Sequence, residues 1–92
     1  MAEIIKVNGT HLKVSSMKGK VFSLREMQAV VGGFIELHAT IDGRIMVMNE
    51  NGKLKHLPPN PEATALIDRS IDVVVGDVLV GHAEDHDDDD QQ

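Results

Sequence analysis

MNENGKLKHLPPNPEATAL, Met48 to Leu66, places a turn, a basic segment, a Pro-Pro corner and a helix start in immediate succession. Asn51-Gly52 is a turn signal, because both residue types tolerate positive φ at little cost. Lys53 to Leu57 reads as a short exposed extension with Leu54 and Leu57 as its apolar anchors. Pro58 and Pro59 fix φ and turn the residues before them away from helix, which makes a polyproline-like corner. Asn60 suits an N-cap, Pro61 the first helical position, and Glu62 complements the positive helix end. The predicted helix runs from about Pro61 to Arg69. Two readings follow. The loop either just delivers a helix to a sheet, or it gathers Lys53, Lys55 and His56 near the free N–H groups of a helix start. There, with Asn60, Glu62 and Ala63, they would hold an anion such as phosphate.

On the C-terminal side, Asp72 to Val80 reads DVVVGDVLV, the most β-prone segment of the chain, with a bulge, bend or turn expected at Gly76-Asp77. On the N-terminal side, Phe34–Ala39 and Arg44–Met48 are β runs joined through Asp42-Gly43 as a hairpin. Ile35, Leu37 and Ala39 alternate with Phe34, Glu36 and His38, giving the first run an inner face. The unbroken apolar IMVM predicts a central strand covered on both sides. Ser23-Leu24-Arg25-Glu26 is a capping box, Leu24, Met27, Val30 and Val31 follow at helical spacing, and Gly32-Gly33 stops the helix. Ser15 to Lys20 reads as a polar loop. Ile4–Val7 and His11–Val14 form a further hairpin about Asn8-Gly9. The resulting order is ββ-α-ββ-α-β: a small single α+β domain, with a mostly antiparallel sheet and two short helices packed mainly on one face.

Residues Val21 to Gly81 carry Phe22-Ser23-Leu24 through Gln28, then VVGGFIE, NENGKLKHLPPNPEAT and VVVGDVLVG. This combination resembles a small domain-of-unknown-function family of bacteriophages, plasmids and conjugative elements. Patterns such as VGGYIE, NEEGKLKGLPxN, AT and GDVLV recur in it. His56 stands where that family often has Gly or Asn, and Pro61 replaces a common charged residue. The resemblance implies an accessory protein of a mobile element and brings no catalytic residues with it.

Composition narrows the function classes. Hydrophobic residues make up 41% of 92, with two Phe and no Trp or Tyr, so the core is aliphatic and Met-containing. There is no cysteine, hence no disulfide and no thiolate. The chain offers no apolar run of the roughly 20 residues a bilayer needs, nor the basic and apolar regions of a signal peptide. A cytoplasmic, membrane-free protein is the expectation. The net charge is −6. Six of the fifteen acids lie in the tail (Glu84, Asp85, Asp87, Asp88, Asp89 and Asp90), which leaves residues 1–82 neutral. A neutral body without a basic stripe or stacking aromatics argues against general nucleic-acid binding.

Catalytic chemistry has few candidates. His11, His38 and His56 are the available bases, with Glu36 and Glu50 as carboxylates nearby in sequence, and Glu36 and His38 share a strand face. Ser15, Ser16, Ser23 and Ser70 lie in no nucleophile-elbow context. In the acidic tail, His82 and His86 are four apart and would share a helix face able to bind Zn, Ni or Cu weakly. Four successive aspartates repel one another, so residues 82–92 are expected to form a solvated tail beyond a domain of residues 1–81. No enzyme activity and no cofactor are expected. The first reading is a non-enzymatic accessory protein that binds a host or phage protein, and its strand edges permit a homodimer. The runner-up captures a small anionic, nucleotide-like ligand at Lys53–Ala63. A metal-dependent enzyme comes last. Deleting His82 to Gln92 should leave the thermal midpoint nearly unchanged in calorimetry; a large drop would mean that the tail packs on the body.

Overall fold

The computed structural model describes residues 2–14, 22–68 and 73–82. Its elements are β1 (Ala2–Ile5), β2 (His11–Val14), α1 (Leu24–Val31), β3 (Ile35–Ala39), β4 (Ile45–Asn49), α2 (Pro61–Thr64) and β5 (Val78–Gly81). The order is the expected ββ-α-ββ-α-β of an α+β domain. The strands form one sheet in the order β2-β1-β5-β4-β3, and each of these pairings is antiparallel. The polar Ser15–Lys20 loop lies outside the described residues, as do Arg69 and most of the tail. Among the described residues, no helix is long and apolar enough to cross a membrane.

Both predicted hairpins form, with wider loops than a two-residue Asn-Gly or Asp-Gly turn. Lys6 N–H donates to Thr10 O and Gly9 N–H to Lys6 O, both at 2.9 Å, leaving Val7-Asn8-Gly9 as the loop. Thr40 N–H to Arg44 O (2.9 Å) and Gly43 N–H to Thr40 O (3.2 Å) repeat that geometry around Ile41-Asp42-Gly43. Gly9 (φ 92°) and Gly43 (φ 86°) take the left-handed third position of each loop, where a side chain is strained.

The helices lie on opposite faces of the sheet, which corrects the expectation of one covered face. Strand alternation explains why. Met46, Val78, Val80 and Ile5 point to one side and meet Ala63 and Ile67 of the α2 region, together with Val74. Val47, Leu79 and Ala2 point to the other side and meet Phe22, Met27 and Val31 around α1. As IMVM predicts, β4 is central and covered twice, with neighbouring Met46 and Val47 both fully buried. Helix α1 begins at the predicted capping box. Glu26 N–H donates to Ser23 Oγ (3.2 Å), and Ser23 N–H donates to Glu26 Oε1 (2.8 Å). Helix α2 has four residues rather than the predicted nine. Leu66 and Ile67 tighten to i−3 carbonyls, and Leu66 O is taken by Ile41 N–H at 2.7 Å, which ends the helical ladder.

The segment before α2 also departs from expectation. Lys53–Leu57 coils back as a turn instead of extending. Lys55 N–H reaches Asn51 O and Leu57 N–H reaches Gly52 O, both at 3.0 Å, while His56 adopts φ 57°. Gly52 lies so close to Val75 that an added Cβ would be 2.7 Å from its Cγ2. The Pro-Pro corner runs beside Val75, with Gly76 N–H donating to Pro58 O at 2.8 Å.

Asn60 closes this corner from inside the protein, at 0% exposure. Its Oδ1 accepts from Ala63 N–H (3.1 Å), and its Nδ2 donates to Ile5 O (2.9 Å) and Gly76 O (2.8 Å). Its backbone N–H donates to Val74 O at 2.8 Å. Thr64 Oγ1 donates to Asn60 O (2.8 Å) and accepts from Val74 N–H (3.0 Å). One amide thus joins β1, α2 and the chain entering β5. Cap loss alone would cost about 0.5–2 kcal/mol. Asn60→Ala also removes a hydrogen bond from each of two buried carbonyls, Ile5 O and Gly76 O, so a loss of about 2–4 kcal/mol is expected in urea denaturation. Asn60→Asp keeps the cap oxygen but points oxygen at two carbonyls, and should be at least as destabilising. A near-parental Asn60→Asp variant would show that only the cap matters.

Candidate functional site

Because α2 is short, it covers the β1, β5 and β4 part of its sheet face and leaves the β3 side open. The uncovered strip becomes a groove of about 220 Å³. Glu36 and His38 of β3 form one wall, Met48 and Val74 contribute apolar surface, and Glu50, Lys53 and Leu54 stand on the turn after β4. Their neighbours in the sheet explain the placement: Glu36 pairs with Met48 and His38 with Met46, so both side chains share the α2 face with the methionines. The sequence-predicted meeting of Glu36 and His38 occurs, with His38 Nε2 3.7 Å from Glu36 Oε2. Leu54 is 81% exposed at the rim.

The residues of the proposed anion site are dispersed. Lys53 lines the groove. Lys55 turns to the end of α1, where its Nζ donates to Gly32 O at 3.4 Å. His56 is exposed on the turn. Asn60 and the Ala63 N–H are bonded to each other within the core, and the Glu62 carboxylate meets His11 instead. His82 follows β5 and is exposed, whereas His86 lies outside the described residues. Among the described residues no group of three or more His, Asp or Glu side chains converges as a metal site.

A family model for a domain of unknown function, DUF3846, matches residues 2–92. This chain belongs to the DUF3846 family. No curated protein and no solved structure matches it.

Sequence reasoning missed a charged chain that crosses the DUF3846 sheet on the α2 face. His11 Nδ1 lies 3.0 Å from Glu3 Oε1, and its Nε2 lies 3.2 Å from Glu62 Oε1. Arg44 donates to Glu3 Oε2 (2.9 Å) and, from its other nitrogen, to Asp42 Oδ2 (2.8 Å). Thr40 Oγ1 also donates to Asp42. Two of the links, Glu62 to His11 and Arg44 to Glu3, join residues 51 and 41 apart in sequence, so the tertiary packing of β1, β2, β4 and α2 brings them together. A second polar anchor, Asn49, donates from Nδ2 to Val31 O at 3.0 Å and ties the groove's turn to α1.

The Glu3 carboxylate, hydrogen-bonded to His11, raises the imidazole's pKa, and Arg44 holds the Asp42 carboxyl down at about 2. The raised His11 contributes stability that is fully present below about 6.5 and fades as pH rises through its folded value. The depressed Asp42 contributes stability present above about 3.8 and lost as pH falls toward 2. Both groups are well exposed, so each effect is small. Glu3→Gln should lower the His11 midpoint in an NMR titration, and Asp42→Asn should flatten the acid limb of stability below pH 4. An unmoved His11 midpoint would remove the ion pair from the account.

Proposed function

We propose that this DUF3846 chain is a small non-enzymatic accessory protein of a bacteriophage or other mobile element, acting in the cytoplasm by binding a host or phage protein in the β3 groove. The mobile-element origin rests on the resemblance carried by VVGGFIE, NENGKLKHLPPNPEAT and VVVGDVLVG. The binding role rests on one observation, the character of the groove. Its volume of about 220 Å³ is below the roughly 300–1,000 Å³ of small-molecule pockets, and suits one or two side chains of a partner. Leu54 and Val73 offer apolar surface, while Glu36 and Glu50 outweigh Lys53 in charge. A partner segment presenting an apolar residue beside a basic one is complementary to both features. The same acidic excess disfavours the competing reading of an anionic, nucleotide-like ligand held by Lys53.

A photo-crosslinking residue at Leu54, with another at Thr10 as control, tests the reading in cells. A discrete protein adduct at position 54 alone, reduced about tenfold by Glu50→Lys, is the expected result. Equal labelling at both positions, or none, would overturn it. Native mass spectrometry supplies the rival outcome: a bound small anion lost on Lys53→Glu with Lys55→Glu would establish the ligand trap instead.

A further inference from the structure

We infer that β3 pairs with β3 of a second copy of this chain, antiparallel, about a two-fold axis through Leu37. The inference rests on the proposed protein-binding role of this region and names one partner for its edge.

Among the described residues β3 is the last strand of the sheet. Glu50 N–H donates to Phe34 O and Thr40 N–H to Arg44 O, both at 2.9 Å, so Phe34 and Thr40 turn their backbone groups toward β4. By alternation Glu36 and His38 do the same, and Ile35, Leu37 and Ala39 turn theirs outward along the free edge. Among the described residues the edge lacks three of the usual protections. Ile35–Ala39 contains no Pro and no Lys, and its register against β4 runs without a bulge. The opposite edge strand, β2, carries Lys13 at its centre. Large apolar side chains stand along and beside the β3 edge: Phe34 is 66% exposed, Leu37 54% and Ile41 71%.

Charge then selects the register. Outward-facing residues can meet their counterparts in three central alignments. One sets Glu36 opposite Glu36 of the second copy, and another sets His38 opposite His38. Only the alignment centred on Leu37 sets each Glu36 against the other copy's His38, and it does so twice by symmetry. It also lets all three outward residues of each strand find partners, with Leu37 against Leu37 and Ile35 against Ala39. The Glu36–His38 pairs fall at the non-hydrogen-bonded positions, where facing side chains approach most closely. The two grooves, each walled by Glu36 and His38, meet at the axis as one trough.

Sedimentation equilibrium of the full chain over a wide concentration range tests this. The mass should rise from 10.0 kDa to twice that value. Leu37→Pro removes an outward N–H that β4 does not use, so it should hold the chain at the monomer mass with unchanged circular dichroism. Glu36→Lys, a surface change, should weaken association about tenfold, and Glu36→Lys with His38→Glu should restore it. A wild-type chain that stays at 10.0 kDa at millimolar concentration would overturn the proposal, as would a dimer indifferent to Leu37→Pro. Failure of the charge swap to restore association would overturn the register. Crosslinking at Leu54 in a monomeric Leu37→Pro background reports separately on the groove, so failure of the pairing is distinguishable from failure of the groove reading.

Discussion

The Asn60 carboxamide is the constraint on which the remaining architecture depends. Its two N–H bonds and one oxygen are all used on backbone, at a residue with 0% exposure. A buried amide without partners costs several kilocalories per mole, so the core forms around this geometry or pays heavily. Through it the Pro-Pro corner is fixed to Gly76 and Ile5 at the end of β1 is drawn in, while the Thr64 hydroxyl, donating to Asn60 O, holds the Val74 N–H at the entry to β5. Asn49 acts similarly on the other face, linking the end of β4 to the end of α1. Two asparagines, one per face, hold irregular backbone where no ladder reaches.

Economy in the helices sets the character of the surface. α1 and α2 contain eight and four residues, too few to cover both faces of a five-stranded sheet. The deficit falls at β3, where the α2 face becomes a groove and the α1 face leaves Leu37 in water. Exposed apolar area of this kind, concentrated around one strand, is where soluble proteins meet other proteins. The charged chain from Glu62 to Asp42 sits elsewhere on the α2 face and has a structural explanation: it bridges elements distant in sequence.

Local signals were legible in the sequence wherever one or two residues decide the backbone. The capping box at Ser23 and Glu26, the stop at Gly32, the cap at Asn60 and the bend at Gly76 all stand where residue chemistry places them. The apolar IMVM run correctly marked a central strand. What depends on tertiary partners was not legible. The α2 ladder gives way to i−3 bonds at Leu66 and Ile67, and Leu66 O is held by Ile41 from across the fold, a contact that no local propensity reveals. Leu37 and Ala39 have the alternation of a buried face, yet nothing in the local pattern says that α1 stops short of them. Lys53 and Lys55 look like a basic pair in sequence, but the turn sends one to the groove and the other to Gly32. The candidate groove itself was visible only as the pair Glu36 and His38.

Strand order carries a consequence for how the protein is made. β5 is the last of the described elements in sequence, yet it lies between β1 and β4 near the centre of the sheet. As the polypeptide leaves the ribosome, the β1–β2 and β3–β4 hairpins can form early from neighbouring residues, but each keeps an apolar edge waiting. They become one sheet when Val78–Gly81 inserts between them, a closure spanning nearly the whole domain. Until then the nascent chain holds two unmatched hairpins, and it is in that interval that it is most vulnerable to misassembly with a neighbouring copy.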